Sequence, residues 1–319
     1  MVRSLLSTGL LFIVLQYLNT FYSLCIGIFL VMTVADTFRP AMFVAMSVYS
    51  KPENKTRSVT LIRLAINLGF SAGPAVGGLI ITFLGYSGLF WVDGITCILA
   101  TILLMMVLNP RVAKPIDNLE IENPVSIYKD KPFWIFFIAM IIFGIIFMQY
   151  FSTMPLYYKE VHGLTELQIG ILLGLNGFFI FLLEMPLIKW LEDSKYSKIG
   201  LTLLGLLLTT ISFYLLNITS WIGILIIGML FVTVGEMIGF PFSNAFAMDR
   251  AKKGKSGEYL SMYVMAFAIA NVFGHSGGLK LVATVGYANT WYIMAGLGLV
   301  GILLLLYLKR VLISKNELT

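Results

Sequence analysis

Long apolar runs separated by short polar breaks set the plan of this chain. A bilayer core takes about 20 apolar residues per helix. On that measure the pattern predicts ten spans, at roughly 4–19, 21–48, 57–83, 86–108, 133–156, 167–188, 199–216, 221–247, 257–283 and 286–308. The breaks alternate in character. Leu18-Asn19-Thr20, Leu84-Gly85-Tyr86-Ser87 and Asn217-Ile218-Thr219-Ser220 carry no charge, whereas the others are basic, as in Lys51, Lys55 and Arg57 or in Arg250, Lys252, Lys253 and Lys255. Eighteen of the 22 Lys and Arg residues fall on one face, and only Lys159 lies clearly in a loop on the other. By the positive-inside rule both termini are expected to be cytoplasmic. One long hydrophilic connection interrupts the pattern. It gives a predicted four-span bundle over 1–108, a cytoplasmic linker over 109–132, a six-span bundle over 133–310 and a short tail over 311–319.

Composition strengthens this reading. The chain of 319 residues is 59% hydrophobic and 12% charged, against about 25% charged in soluble domains, and its mean hydropathy is +0.91. The expected class is an all-α membrane protein. The net charge of +6 follows from the basic loops and is a topology signal, so no nucleic-acid partner is expected. Cys25 and Cys97 lie in apolar runs and His162 and His275 stand apart, which gives neither a disulfide framework nor a metal site. The first apolar run leads directly into further spans, with no cleavable signal peptide. Gly296-Leu297-Gly298-Leu299-Val300-Gly301 fits G-x-G-x-x-G but sits inside a span with no strand before it, so no dinucleotide cofactor is implied. No nucleophile set or phosphate loop appears either, and the expected protein is not an enzyme.

The run Gly69-Phe70-Ser71-Ala72-Gly73-Pro74-Ala75-Val76-Gly77-Gly78 lies inside a predicted span. Glycines four apart let helix backbones touch in a membrane, and neighbours re-satisfy the carbonyl that a proline such as Pro74 frees. The run also belongs to a repeat. At an offset of 201 residues Pro40 matches Pro241, Gly73 matches Gly274, Gly85 matches Gly286 and Tyr86 matches Tyr287. Such a parallel repeat occurs between the halves of one large transporter class. Subtracting the offset from the first two spans of the second half puts their counterparts before Met1. The expectation is therefore a twelve-span plan lacking its first two spans, with a natural ten-span protein as the alternative.

With these features the chain resembles the major facilitator superfamily of secondary transporters. Gly69, Gly73, Pro74, Gly77 and Gly78 match the family's fifth-helix antiporter motif G-x-x-x-G-P-x-x-G-G. That resemblance implies proton-driven export of a small amphipathic molecule or drug. Lys189 to Lys198 is similar to the second-half copy of the loop motif G-x-L-a-D-r-x-G-r-r, keeping Asp193, Lys195 and Lys198 but not the opening glycine. The fourth-helix arginine of the family is not found in Ile26–Leu30, and Arg39 lies further along. The implied partners are a small-molecule substrate, protons and the lipid bilayer of a bacterial inner membrane, with the chain as a monomer. Proton-coupled uptake of a sugar, peptide or metabolite is the alternative, and a non-transporting remnant or interaction subunit is another.

Ionisable groups within the spans are the candidate site, because charge in a bilayer is costly. Asp36 and Arg39 stand at i and i+3 in the second span. Asp36 is placed roughly 18 Å from the predicted cytoplasmic end, near the midplane, at 1.5 Å per residue. Glu236 is about as deep in its own span, and the repeat sets it beside Asp36. Glu236 or Asp36 is expected to bind and release the coupling proton, with Arg39 as a partner of Asp36; the other reading of Asp36–Arg39 is a static packing pair. Glu184, just before Pro186, is expected near the cytoplasmic end, paired with the basic loop or lining the inner vestibule. Arg63 and Lys280 are expected to snorkel, Asp93 to pack or cap, and His275, opposite Pro74 in the repeat, to pack. Phe178, Phe179, Met229, Phe240, Phe242 and Tyr263 are pocket candidates, with packing or lipid contact as the default.

Overall fold

The structure is a computed structural model describing residues 1–38, 41–42, 45, 55–108, 126–251 and 256–314. Several of its helices begin where a short polar side chain caps them. Thr20 opens α2 (Phe21–Asp36) with a capping box, in which Thr20 Oγ1 accepts from the Ser23 N–H and Ser23 Oγ accepts from the Thr20 N–H, each at 3.3 Å. This satisfies two donors that a helix start would leave unpaired. Before it runs α1 (Val2–Leu15). After it come α3 (Lys55–Val107) and a short 3-10 turn at Ile127–Lys129, followed by α4 (Lys131–Glu160), α5 (Glu166–Glu192), α6 (Lys198–Leu215), α7 (Gly223–Ala251) and α8 (Ser256–Ser314). Thr165 and Gln168 form a second capping box at α5, and Ser197 Oγ accepts from the Gly200 N–H to open α6. Pro155, Pro186 and Pro241 lie inside α4, α5 and α7. No strand occurs among the described residues.

Two helices break at a glycine. Gly85 in α3 has φ 70° and ψ −177°, and Gly286 in α8 has φ 79° and ψ 171°. A side chain at either position would be strained. The two breaks lie 201 residues apart, so the repeat read from sequence has the same backbone turn at both copies. Among the described residues, six helices are long and apolar enough to cross a membrane: Phe83–Val107, Lys131–Glu160, Glu166–Glu192, Lys198–Leu215, Gly223–Ala251 and Glu258–Ser314. Val2–Leu15 and Phe21–Asp36 are apolar but shorter. The second predicted span, 21–48, is interrupted by a turn at Thr37; residues 38, 41, 42 and 45 are again helical, and the rest of its end lies outside the described residues. The Thr37 N–H donates to the Val34 carbonyl at 3.3 Å and Thr37 Oγ1 to the same oxygen at 2.7 Å, replacing the i→i−4 ladder.

The chain forms two compact units, Met1–Asn118 and Leu119–Thr319. In the first, α1 meets the later part of α3 where both backbones are bare: a Cβ built on Gly9 would stand 2.8 Å from the Gly94 carbonyl oxygen. Ser4 Oγ donates to the Val34 carbonyl at 2.8 Å and joins α1 to α2. In the second, Phe133, Phe136, Phe143, Tyr150, Phe213 and Trp291 make a fully buried aromatic core. Here α6 and α7 cross at glycines, and a Cβ on Gly205 would stand 2.5 Å from Gly239 Cα and 2.6 Å from the Gly235 oxygen.

The described residues bring no neighbour within 4 Å of a Cβ built on Gly69, Gly73 or Gly78, and only Leu89, at 3.8 Å, near Gly77. The close approach expected at that run is found in its repeat partner. A Cβ on Gly274 would stand 2.8 Å from Met148 Cβ, and one on Gly278 would collide with Gln149 Oε1. Gln149 is fixed there because its Nε2 donates to the Gly274 carbonyl at 2.8 Å and its Oε1 accepts from Thr153 Oγ1 at 2.6 Å. The two glycine sets therefore differ in what substitution costs. Gly205→Ala is expected to destabilise the protein by about 1–3 kcal/mol, since two backbones must part. Gly73→Ala is expected to be neutral or stabilising by up to about 1 kcal/mol through helix propensity. Thermal unfolding of the purified variants checks both.

Candidate functional site

The second unit gathers a polar cluster inside its apolar helices. Asn176, Ile180 and Glu184 recur at helical spacing along one face of α5, and Thr233 and Glu236 lie one turn apart on α7. Asn176 Nδ2 donates to Thr233 Oγ1 at 2.9 Å, and Thr233 Oγ1 donates to the Met229 carbonyl at 2.7 Å. Asn176, Thr233, Glu184 and Tyr150 are all buried. The Asn176 side chain reaches the Glu236 carboxyl for a hydrogen bond, and Glu184 is within electrostatic range. Tyr150, on α4, is within electrostatic range of Glu236 as well. Glu236 Oε2 is buried and has no hydrogen-bond partner among the described residues. A polar atom in that condition costs free energy until something binds it.

Aromatic rings wall the cluster. Phe240, one turn beyond Glu236, packs against Phe143 at 4.9 Å, Phe147 at 4.7 Å and Phe267 at 5.3 Å between ring centroids. Among the other ring and thioether candidates, Met229, Phe242 and Tyr263 are core residues, Phe179 packs on the core and Phe178 is exposed. The structure therefore brings Glu184 and Glu236 together, which the sequence placed separately. Glu184 is buried.

The remaining candidates fall elsewhere. Asp36 is the last residue of α2 and is exposed. Arg39 and the side chains of Arg63 and Pro74 lie outside the described residues. His275 Nε2 is 3.1 Å from Asn271 Oδ1 on an exposed face, and Lys280 and Asp93 are exposed. Among the loop-motif residues, Asp193 is the C-cap of α5, Lys195 is exposed, and Lys198 makes an ion pair with Asp249 at the end of α7. No group of three or more metal-ligating side chains is found among the described residues.

A second polar group was missed in the sequence. Asp130 caps α4 by accepting from the Phe133 N–H at 3.3 Å. Its carboxylate also takes a bidentate pair from Arg250, Nε to Oδ2 and Nη2 to Oδ1, each at 2.7 Å, and a 2.9 Å hydrogen bond from the Tyr259 hydroxyl. The sequence places Arg250 among the basic loop residues, and Asp130 was not among the candidates. The position of Asp130 immediately before Lys131-Pro132 was the available signal, since a carboxylate ahead of a proline-started helix is a capping residue.

Comparison with known proteins agrees with this helical architecture. The chain is 25% identical over 191 residues to a Na(+), Li(+), K(+)/H(+) antiporter of Planococcus maritimus, covering 55% of this chain and 44% of the relative. It is 23% identical over 255 residues to an uncharacterised MFS-type transporter of Methanocaldococcus jannaschii, covering 77% and 64%. The chain thus spans less than two thirds of either relative. Among solved structures, a POT family transporter in complex with 5-aminolevulinic acid superposes with a TM-score of 0.77 at 16% identity, over 98% of this chain and 81% of that one. The human organic anion transporter MFSD10 gives 0.65 at 14%, over 95% and 76%. These structures carry the fold and no more. The family model described as Major Facilitator Superfamily matches residues 1–275, and with that match over most of its length the chain belongs to the major facilitator superfamily.

Proposed function

We propose that the protein is a secondary transporter, not an enzyme, that exports a small amphipathic molecule in exchange for protons by alternating access. The observation that carries this reading is the buried, unpartnered Oε2 of Glu236 beside Asn176. An isolated ionised carboxylate is expensive away from water, so Glu236 is the natural carrier of the coupling proton. Glu184 shares its environment, and Asp36 and Arg39 are the candidates from the first unit. The fifth-helix residues Gly69, Gly73, Pro74, Gly77 and Gly78 and the likeness to a cation/proton antiporter favour exchange over symport. Ten spans, cytoplasmic termini, a bacterial inner membrane and a monomer complete the proposal; the one-sided basic loops support the orientation.

Uptake symport is the competing reading, and the POT-type fold neighbours are its support. The sign of the gradient separates the two. The purified chain is reconstituted in liposomes and ethidium and Na(+) are offered as separate probes. Exchange predicts accumulation only with an acidic interior. Accumulation only with an acidic exterior selects symport, and no gradient-dependent flux in either direction refutes transport by this chain.

A further inference from the structure

The end of the second unit opposite its basic loops holds a cavity of about 510 Å³, lined by Tyr157, His162, Asn217, Thr219, Tyr287 and their neighbours. It is separate from the Glu236 cluster, being built from the α4–α5 turn, the α6–α7 turn and the Gly286 break. Its walls are aromatic. Tyr157 has His162 at 5.0 Å, Tyr287 at 5.3 Å and Trp291 at 5.3 Å between ring centroids. The charge beside these rings is negative: the Tyr287 hydroxyl donates to Glu160 Oε2 at 2.7 Å. The adjacent Lys159 is engaged by Glu166 at 2.5 Å. Partial burial holds the pKa of His162 below its usual value, leaving the imidazole uncharged at neutral pH. His162 Nε2, Tyr158 Oη and Trp291 Nε1 are buried with no hydrogen-bond partner among the described residues.

We propose that this cavity binds an alkylammonium group, held over the faces of Tyr157 and Tyr287 and neutralised by Glu160. Aromatic faces attract such cations through the ring quadrupole. The hydrogen bond from Tyr287 to a carboxylate enriches its ring and strengthens that attraction. The size suits a small-molecule site and exceeds what one methylated ammonium needs, so the group arrives either on a free amine or as the headgroup of a zwitterionic lipid at the membrane surface. An aromatic belt alone, which commonly sits at that depth, has no reason to place a carboxylate on its ring hydroxyl.

The test is a ligand-observed NMR titration of choline against the full chain in phosphatidylglycerol nanodiscs. Saturable binding is expected, weakened about tenfold in Glu160→Gln, because the variant removes the counter-charge beside the rings. A smaller loss is expected in Tyr287→Phe, which keeps the ring. The carbon isostere 3,3-dimethylbutanol is expected to bind far more weakly, and Glu236→Gln to leave choline binding unchanged. Adding phosphatidylethanolamine separates the sources: competition with choline identifies the lipid headgroup, and its absence a free amine. Absence of saturable binding, equal binding by Glu160→Gln or by the isostere, or loss in Glu236→Gln overturns the proposal.

Discussion

Arg250→Ala is expected to destabilise the protein by about 3–5 kcal/mol, the usual cost of leaving one partner of a buried ion pair alone. The side chains of Arg250 and Asp130 are only 8% and 2% exposed, so water cannot replace the missing guanidinium. The Asp130 carboxylate is then left with the neutral Tyr259 hydroxyl and Phe133 N–H, neither of which balances its charge. These groups join the start of α4, the end of α7 and the first turns of α8. Asp130→Ala is expected to be as damaging, since it takes the bidentate carboxylate from the buried Arg250 and removes a helix cap. The double substitution Asp130→Leu with Arg250→Met is expected to cost less than either single one, because it removes both charges. Thermal unfolding of the four proteins in one detergent, followed by intrinsic fluorescence, measures this. A single variant within about 1 kcal/mol of the parent would mean that the pair is solvated and behaves like a surface salt bridge.

The pair illustrates what the sequence could and could not disclose. Helix positions follow from long-range composition: the predicted spans at 133–156 and 167–188 lie within α4 and α5, and that at 199–216 coincides with α6 to within one residue at each end. The glycine breaks at 85 and 286 were legible because a positive φ selects one residue type. Partnership between distant helices was not legible. Asp130 and Arg250 are 120 residues apart, and nothing local to either says that they meet. The same holds for Glu184, whose neighbours in sequence are a proline and a basic loop, yet which lies within electrostatic range of Glu236 on α7. Helical spacing gave the face of α5 but not the element opposite it. The turn at Thr37 was not legible for another reason. Hydropathy runs smoothly through Asp36, whereas the turn depends on a threonine hydroxyl bonding back to its own helix.

Glu236→Gln is expected to abolish proton-driven accumulation while leaving substrate-for-substrate exchange. Glutamine keeps the size of the side chain and can still meet Asn176, so packing of α5 on α7 survives; what it loses is the ability to exchange a charge for a proton. A gradient of two pH units stores about 2.7 kcal/mol per proton, which for one-for-one exchange supports a concentration ratio of about 100. The variant is expected to bring that ratio to about 1 without slowing exchange in the absence of a gradient, since exchange returns the carrier loaded and needs no proton turnover. Liposomes holding each protein, assayed once with an acidic interior and once with equal pH and labelled substrate inside, separate the two effects. Loss of both activities would signal damage to binding or folding, whereas wild-type accumulation by Glu236→Gln would remove Glu236 from the coupling role. In that event Asp36→Asn becomes the decisive variant, because Asp36 is the other carboxylate that the repeat sets at the matching position. Parent-like accumulation by the Glu236→Gln, Asp36→Asn double variant would show that neither carboxylate carries the proton.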